Sequence, residues 1–437
     1  MDERALGYLR TLVYAALLGI PVAFAAVLFQ TAVHQLQHVV WDVVPEGLGW
    51  SEPAGWYVVG VLGLAGVLVA AARRLPGDGG HSPLDGLSLE GIAPGDILSI
   101  LLAALASLAL GAVLGPEAPL IALGLVLGIV ASRLLRMEGT DGQLLAFAGT
   151  FAAIATLFGG PLVAAFMLFE VANAKGLIPT QALGRALLPG FVAAGSGALI
   201  FTGVQGWPGL HQASLKIPSL PAYETVQISD LAWSLPLAVV VAAVVVGLRH
   251  LAHEVAARGP RRIEVKLVTA GLLVGALAVA FRAVTDEPVE RVLFSGQGAL
   301  PEIVAEGSAG VLAFLVLAKG LAYALSLGGG FRGGPVFPAL AIGVAMCVLA
   351  ADVLPGLALT PAVAVGAAAA TSAALRIPFT AALLASLLMG PSATEVAPIA
   401  VLAAAVGWVA AVALPNPEDR AAGRDAARAP ASEPAAP

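Results

Sequence analysis

Charge and cysteine are both scarce in this chain. Asp, Glu, Lys and Arg make up 11% of the 437 residues against 59% hydrophobic ones, and the mean hydropathy is +0.92. No ordinary water-soluble domain approaches that balance, so the chain is read as an integral membrane protein. The single cysteine, Cys347, excludes an intramolecular disulfide and a cysteine-based metal cluster. Titratable residues in the apolar runs are too sparse for a clustered nucleophile, base and metal set. There is no HExxH, and Gly195-Ser196-Gly197 lacks the context of an intramembrane serine protease. No enzyme and no cofactor are therefore expected. His34 and His38, and His250 and His253, share helix faces by spacing, but neither pair has an obvious third ligand; these are read as interface histidines, with no metal. A net charge of -6 carries little information where most surface meets lipid, and nothing indicates nucleic acid. The start, MDERALGYLR, lacks the basic segment, short apolar core and small-residue cleavage pattern of a removable signal peptide, so the first helix is expected to stay.

Apolar runs long enough to cross a bilayer, which takes about 20 residues per helix, fall near 11–33, 56–72, 97–114, 183–203, 231–248, 265–281, 308–327 and 394–414. They are continuously apolar and rich in Ala, Leu and Val, without the period-two alternation of a membrane β-barrel. The runs 117–135, 143–170, 335–354 and 361–390 are interrupted by Gly and Pro. Freed backbone at membrane depth is tolerable only where it is buried in protein or lines a wet cavity, so these breaks point to a pathway.

Ten residues occur twice. Gly115-Pro-Glu-Ala-Pro-Leu-Ile-Ala-Leu-Gly124 and Gly334-Pro-Val-Phe-Pro-Ala-Leu-Ala-Ile-Gly343 agree at five of ten positions with an offset of 219. Pro161-Leu-Val-Ala-Ala165 and Pro378-Phe-Thr-Ala-Ala382 repeat at an offset of 217. The fold class read from this is an all-α integral membrane protein with two inverted-topology repeats and broken or re-entrant helices, in which the substrate site lies between repeats near the midplane. The transmembrane domain is expected over 1–416, with repeat one about 10–204 and repeat two about 231–414, joined by the polar stretch 205–230. The Ala/Pro/charged tail 417–437 is expected to be disordered. Arg73-Arg74, with Asp42, Glu46 and Glu52 in the preceding loop, predicts a cytoplasmic N-terminus; both termini are expected on that side of a plasma membrane.

Gly115-Pro116-Glu117-Ala118-Pro119 reads as a helix start: Pro fits early helical positions, and the remaining free amides and the helix dipole favour an anion. Glu117 is then the natural occupant of an anion site, displaceable by a diffusible anion or by protonation. The alternative is that Glu117 merely complements the dipole. Val336 stands at its repeat partner's place, so a second amide-lined start would face the first. A third break, Gly77 to Asp85, ends in Ser82-Pro83, which could open a helix or form a polar surface turn.

These residues resemble the CLC family of chloride channels and proton/chloride antiporters, in its bacterial type without nucleotide-sensing domains. The family's three loops look like Gly79-Gly-His-Ser-Pro83, Gly115-Pro-Glu-Ala-Pro119 and Gly334-Pro-Val-Phe-Pro338, in the right order. Leu293 to Gly298, Lys319, and Pro161 through Glu170 extend the likeness over nearly the whole membrane region. The resemblance implies two antiparallel repeats per subunit, a homodimer with one pore in each subunit, transport of chloride or a similar small anion, and Glu117 as external gate. Anion-facing residues would be Gly79, Gly80, His81, Ser82, Gly115, Ala118, Gly334, Val336 and Phe337.

Departures from the family pattern are specific. Pro116 replaces the basic residue usual before the gating Glu, Pro335 takes the equivalent place in repeat two, and each removes an amide donor. Gly80 replaces a loop serine, which Ser82 or His81 could supply after a local shift. No match to the family's late pore tyrosine follows Trp408, which implies a more open central site. Val171 stands where family antiporters generally carry an inner glutamate, which favours a channel or weakly coupled pathway. The retained Glu117 favours a proton/chloride antiporter, with Glu117 and Glu170 as the candidate proton pathway; Glu170 is alternatively a structural acid. Lys319 either adds positive potential near the pathway or snorkels or pairs locally, and Arg376 is placed at a helix boundary. A non-transporting membrane scaffold or enzyme is the distant alternative.

Overall fold

The computed structural model describes residues 3–87, 91–137, 139–174, 183–204 and, apart from 209, 211–214, 216 and 219, residues 206–414. The expected tail 417–437 lies outside the described residues. Sixteen α-helices follow in order: α1 Glu3–His38, α2 Val44–Gly47, α3 Gly55–Ala72, α4 Ile97–Ala109, α5 Glu117–Leu134, α6 Gly139–Phe158, α7 Pro161–Ala174, α8 Leu183–Gly203, α9 Ile228–Arg258, α10 Ile263–Thr285, α11 Leu300–Ala305, α12 Ala309–Gly329, α13 Val336–Val353, α14 Leu359–Leu375, α15 Pro378–Leu388 and α16 Ala393–Ala413. Among the described residues nine helices are long and apolar enough to cross a membrane. The sole β-like feature among them is an isolated antiparallel bridge between Gly115 and Gly334.

The two halves are built to one plan. In the first, α5 packs on α6, α6 on α8, α1 on α6 and α8, and α3 on α4. In the second, α13 packs on α14, α14 on α16, α9 on α14 and α16, and α10 on α12. The halves meet where α3 crosses α10 and α7 touches α15. Glycines allow these close approaches, as expected where helices associate without a hydrophobic driving force. A Cβ on Gly124 of α5 would run into the backbone of Gly149 on α6, and one on Gly343 of α13 into Gly366 on α14.

Several expected breaks are helix starts instead. The Pro residues of 117–135 and 335–354 sit in or before the first turns of α5 and α13, where their missing amides have no intrahelical partner, and both helices run on for 18 residues with Gly124, Gly128 and Gly343 inside them. The run 143–170 does break, at Gly159-Gly160, and 361–390 breaks at Arg376, whose φ of 60° ends α14 ahead of Pro378. The apolar run 97–114 yields only the 13-residue α4. Gly111, at φ +102, turns the chain out of it, as Gly330, at φ +95, turns it out of α12.

Candidate anion site

The two positively φ-turned glycines deliver loops 111–116 and 330–335 to the centre, where they cross antiparallel. Gly115 N donates to Gly334 O at 2.7 Å and Gly334 N to Gly115 O at 2.6 Å. Serines tie each loop to the opposite half: Ser107 Oγ of α4 accepts from Arg332 N, and Ser326 Oγ of α12 accepts from Val113 N, both at 3.0 Å. Both pairs obey the 219 offset of the sequence repeat, so the bonds are related by the internal two-fold. Tyr323, wholly buried on α12, donates from its hydroxyl to Pro335 O at 3.0 Å and fixes the second loop further.

This crossing brings the starts of α5 and α13 together, with Glu117 between them. Glu117 is fully buried. Its Oε1 accepts from Phe337 N at 3.0 Å, and its own amide and that of Val336 also act on the carboxylate. Oε2 has no partner. The cradle has its shape because Gly115 and Gly334 lack side chains: a Cβ on Gly334 would overlap Oε2. The Phe337 ring packs on that of Phe158, centroids 5.5 Å apart.

Not every residue expected to face an anion donates to one. The amides of Gly115 and Gly334 are engaged with each other, Gly79 N donates to Ser99 Oγ at 3.3 Å, and Gly80 N to Gly77 O at 2.8 Å. Gly115 and Gly334 shape the cradle, and among the residues expected to face an anion the amide that donates to the Glu117 carboxylate by direct geometry is that of Phe337. Ser82 N-caps the three-residue 3-10 turn Pro83–Asp85, its Oγ accepting from Leu84 N, so the Ser82-Pro83 break opens a single tight turn and no longer helix. Gly79, Gly80, His81, Ser82, Ala118 and Arg332 line a common cavity of about 30 Å³.

A larger vestibule of about 340 Å³ lies beside Pro116, walled by His34, Gln37, Glu290 and the segment 293–299. Burial pushes the Glu290 carboxyl up, with Asp42 and Glu52 adding to the effect. Lys319 neither snorkels nor stands free: it is 1% exposed, and Nζ donates to the carbonyls of Arg291, Val292, Leu293 and Phe294 at 3.0 to 3.4 Å, holding the vestibule wall. Glu170 accepts from Phe379 N and Thr380 N, each at 2.8 Å, and from Thr380 Oγ1 at 2.5 Å. It thereby caps the start of α15 from across the repeat interface, while the neighbouring Val171 is buried. His38 pairs with Asp42 at 2.7 Å, and His250 bonds Val246 O within its own helix.

Sequence reasoning missed Ser107, Ser326, Tyr323 and Arg332. The serine pair carried a usable signal, since it repeats at the same 219 offset as the glycine-proline loops.

The fold and site together define a multi-pass membrane protein that offers paired helix starts to a buried carboxylate. The sequence profile described as voltage gated chloride channel matches residues 84–411, and the chain belongs to this, the CLC, family. Its business is anion transport, and the family is one of transporters and not of enzymes. The crystal structure of a slow cyanobacterial Cl⁻/H⁺ antiporter is similar with a TM-score of 0.79 at 20% identity, over 96% of this chain and 99% of that one. A CLC-type fluoride/proton antiporter is similar with a TM-score of 0.69 at 19% identity, over 94% and 96%. YfeO of Escherichia coli O1:K1, provisionally named an ion-transport protein, is 28% identical over 334 residues, 74% of this chain and 75% of its own.

Proposed function

We propose that this protein carries chloride or a similar small anion across the cell membrane, as a channel or weakly coupled pathway gated by Glu117. The carrying observation is the buried carboxylate in the cradle of the crossed loops, held on Oε1 by the Phe337 amide and unpartnered on Oε2. A group held on one side by a helix-start amide is replaceable by a free anion that uses the same donor, and protonation weakens its hold. Flux is therefore expected to rise as pH falls. Glu117→Gln in proteoliposomes should remove that dependence, and a variant that keeps the wild-type pH response would refute the gate.

Weak coupling is favoured by the inner side. Val171 offers no proton acceptor, and Glu170 already accepts three hydrogen bonds, which suits a structural cap better than a proton carrier. The second reading, a proton/chloride antiporter, draws on Glu117 itself and on the two similar antiporters. Chloride efflux from proteoliposomes that drives uphill proton movement at fixed stoichiometry would decide for it, with Glu117 and Glu170 as the route. The working assembly is a homodimer in the plasma membrane, each subunit with its own path. Domain bounds are 1–416 with repeats of about 10–204 and 231–414, and the termini are cytoplasmic. Arg73, Arg74, Arg258, Arg261 and Arg262 flank the helix ends that meet at the Arg74–Glu264 ion pair, in line with the positive-inside rule.

A further inference from the structure

The two-fold plan of the crossed loops is broken by two charged side chains. One is Glu117, whose repeat partner is Val336. The other is Arg332, whose repeat partner is Val113. The backbones at 113 and 332 do the same work, each amide donating at 3.0 Å to a serine of the opposite half, so the difference lies wholly in the side chain. Val113 is fully buried, and Arg332 is only 5% exposed.

Arg332 is incompletely satisfied. Its Nη2 donates to the Asp78 carbonyl at 3.0 Å and lies 3.5 Å from Asp78 Oδ2. That carboxylate is already bound by Arg73 through two bonds of 3.0 and 2.7 Å and is 64% exposed, so water and a competing guanidinium dilute its hold. Asp85, also exposed, adds a weaker attraction. Nε has no partner at all. It lies against Gly79, where an added Cβ would sit 3.4 Å from it, and the residue lines the cavity of about 30 Å³ shared with His81, Ser82 and the first turn of α5 at Ala118 and Pro119. A buried, charged N–H without an acceptor is costly to leave unmade. A cavity of this size has room for a water-sized guest.

We propose that Arg332 is a specificity-determining ligand of the anion path: a small monovalent anion in this cavity accepts from Nε–H while the positive end of α5 faces it from the opposite wall. The assignment rests on the anion-transport reading above. It names a charged side chain where that reading offers backbone amides, and it favours an anion small enough to fit beside Gly79 over a larger one such as nitrate.

The test uses the full-length protein in detergent, with sodium chloride titrated against sodium isethionate at constant ionic strength and the chloride concentration for half-maximal thermal stabilisation as the readout. Arg332→Gln should raise that midpoint about tenfold or more, the scale of a lost charge-assisted hydrogen bond. Arg332→Lys should recover part of the loss and narrow the preference for chloride over nitrate. Asp78→Asn, which keeps a residue tolerant of the φ of 48° found there but removes the competing charge, should leave the midpoint unchanged or lower it. A wild-type midpoint in Arg332→Gln overturns the assignment, as does an Asp78→Asn midpoint raised as far as that of Arg332→Gln, the mark of a merely structural ion pair. Should Arg332→Gln not fold, Arg332→Lys with unchanged midpoint and unchanged anion order overturns it equally. Wild-type protein that neither responds to halide nor passes it in proteoliposomes sinks the transport reading itself, a result distinct from a wild type and variant that respond alike.

Discussion

A carboxylate with one oxygen bonded and the other bare sits in an unusual position at membrane depth. Because Gly334 leaves no room between its Cα and Oε2, Gly334→Ala should force Glu117 out of the cradle. The expected outcome is anion flux that has lost its pH dependence, as in Glu117→Gln, with helix content unchanged by circular dichroism. Glu170 plays a contrasting part. Replacing it by Gln removes the charge from three hydrogen bonds at the start of α15, so thermal stability should fall by about 1–3 kcal/mol while anion selectivity stays at the wild-type value. The placement of Glu117 at a helix start was legible in the sequence because glycine, proline and carboxylate lie within five residues, whereas its bond from the Phe337 amide spans 220 residues. Glu170 was not, since its three donors come from 379 and 380, over two hundred residues away. Arg332 was passed over for the same reason: a lone arginine in a glycine run shows neither its burial nor its bare Nε.

Helices are held here by absent side chains as much as by present ones. The seams Gly124 with Gly149 and Gly343 with Gly366 bring α5 onto α6 and α13 onto α14. Gly124→Leu should part its pair and destabilise the protein by more than 3 kcal/mol, the upper range for overpacking, because the obstacle is backbone that cannot rotate away; a melting temperature like that of the wild type would contradict the seam. The equivalent Gly343→Leu should do the same, as the second copy of one contact. Existence and order of the helices followed from apolar runs and from the ten-residue repeat. Their ends did not: α4 stops at Ala109 although the sequence stays apolar to Leu114, because Gly111 turns the loop toward the opposite half, and that destination is a tertiary fact.

At the scale of the whole molecule, two cavities of unlike size flank the crossed loops. The vestibule wall is held by Arg291, which pairs with Glu306 at 2.5 Å and Glu287 at 3.0 Å, and whose carbonyl receives Lys319. Burial works against the charge of Glu306, but hydrogen bonds from Arg291 and the Ser308 amide prevail and hold its carboxyl below its ordinary range. A carboxyl so depressed stabilises the fold above its unfolded value and loses that contribution as pH falls through the folded one. Glu306→Gln should accordingly flatten the acid limb of a melting-temperature profile, and a limb as steep as the wild type's would discount the pair. The inverted repeat was legible from two peptides, and so was the facing of its two helix starts, but the glycine and serine bonds that stitch the loops were not, since sequence offset reports kinship and not contact.

That engagement constrains how the conduit can open. Among the hydrogen bonds between the halves, four stitch the crossed loops themselves, two between glycine backbones and two from loop amides to serines, all of them between buried residues. Prising the halves apart would strand every one of these donors, at about 1–3 kcal/mol apiece, so a hinged, clamshell-like motion at this depth is the expensive route. Swinging Glu117 away from the Phe337 amide breaks far less, so on the gate proposed above the path opens by the rotation of one side chain while the stitched halves stay together.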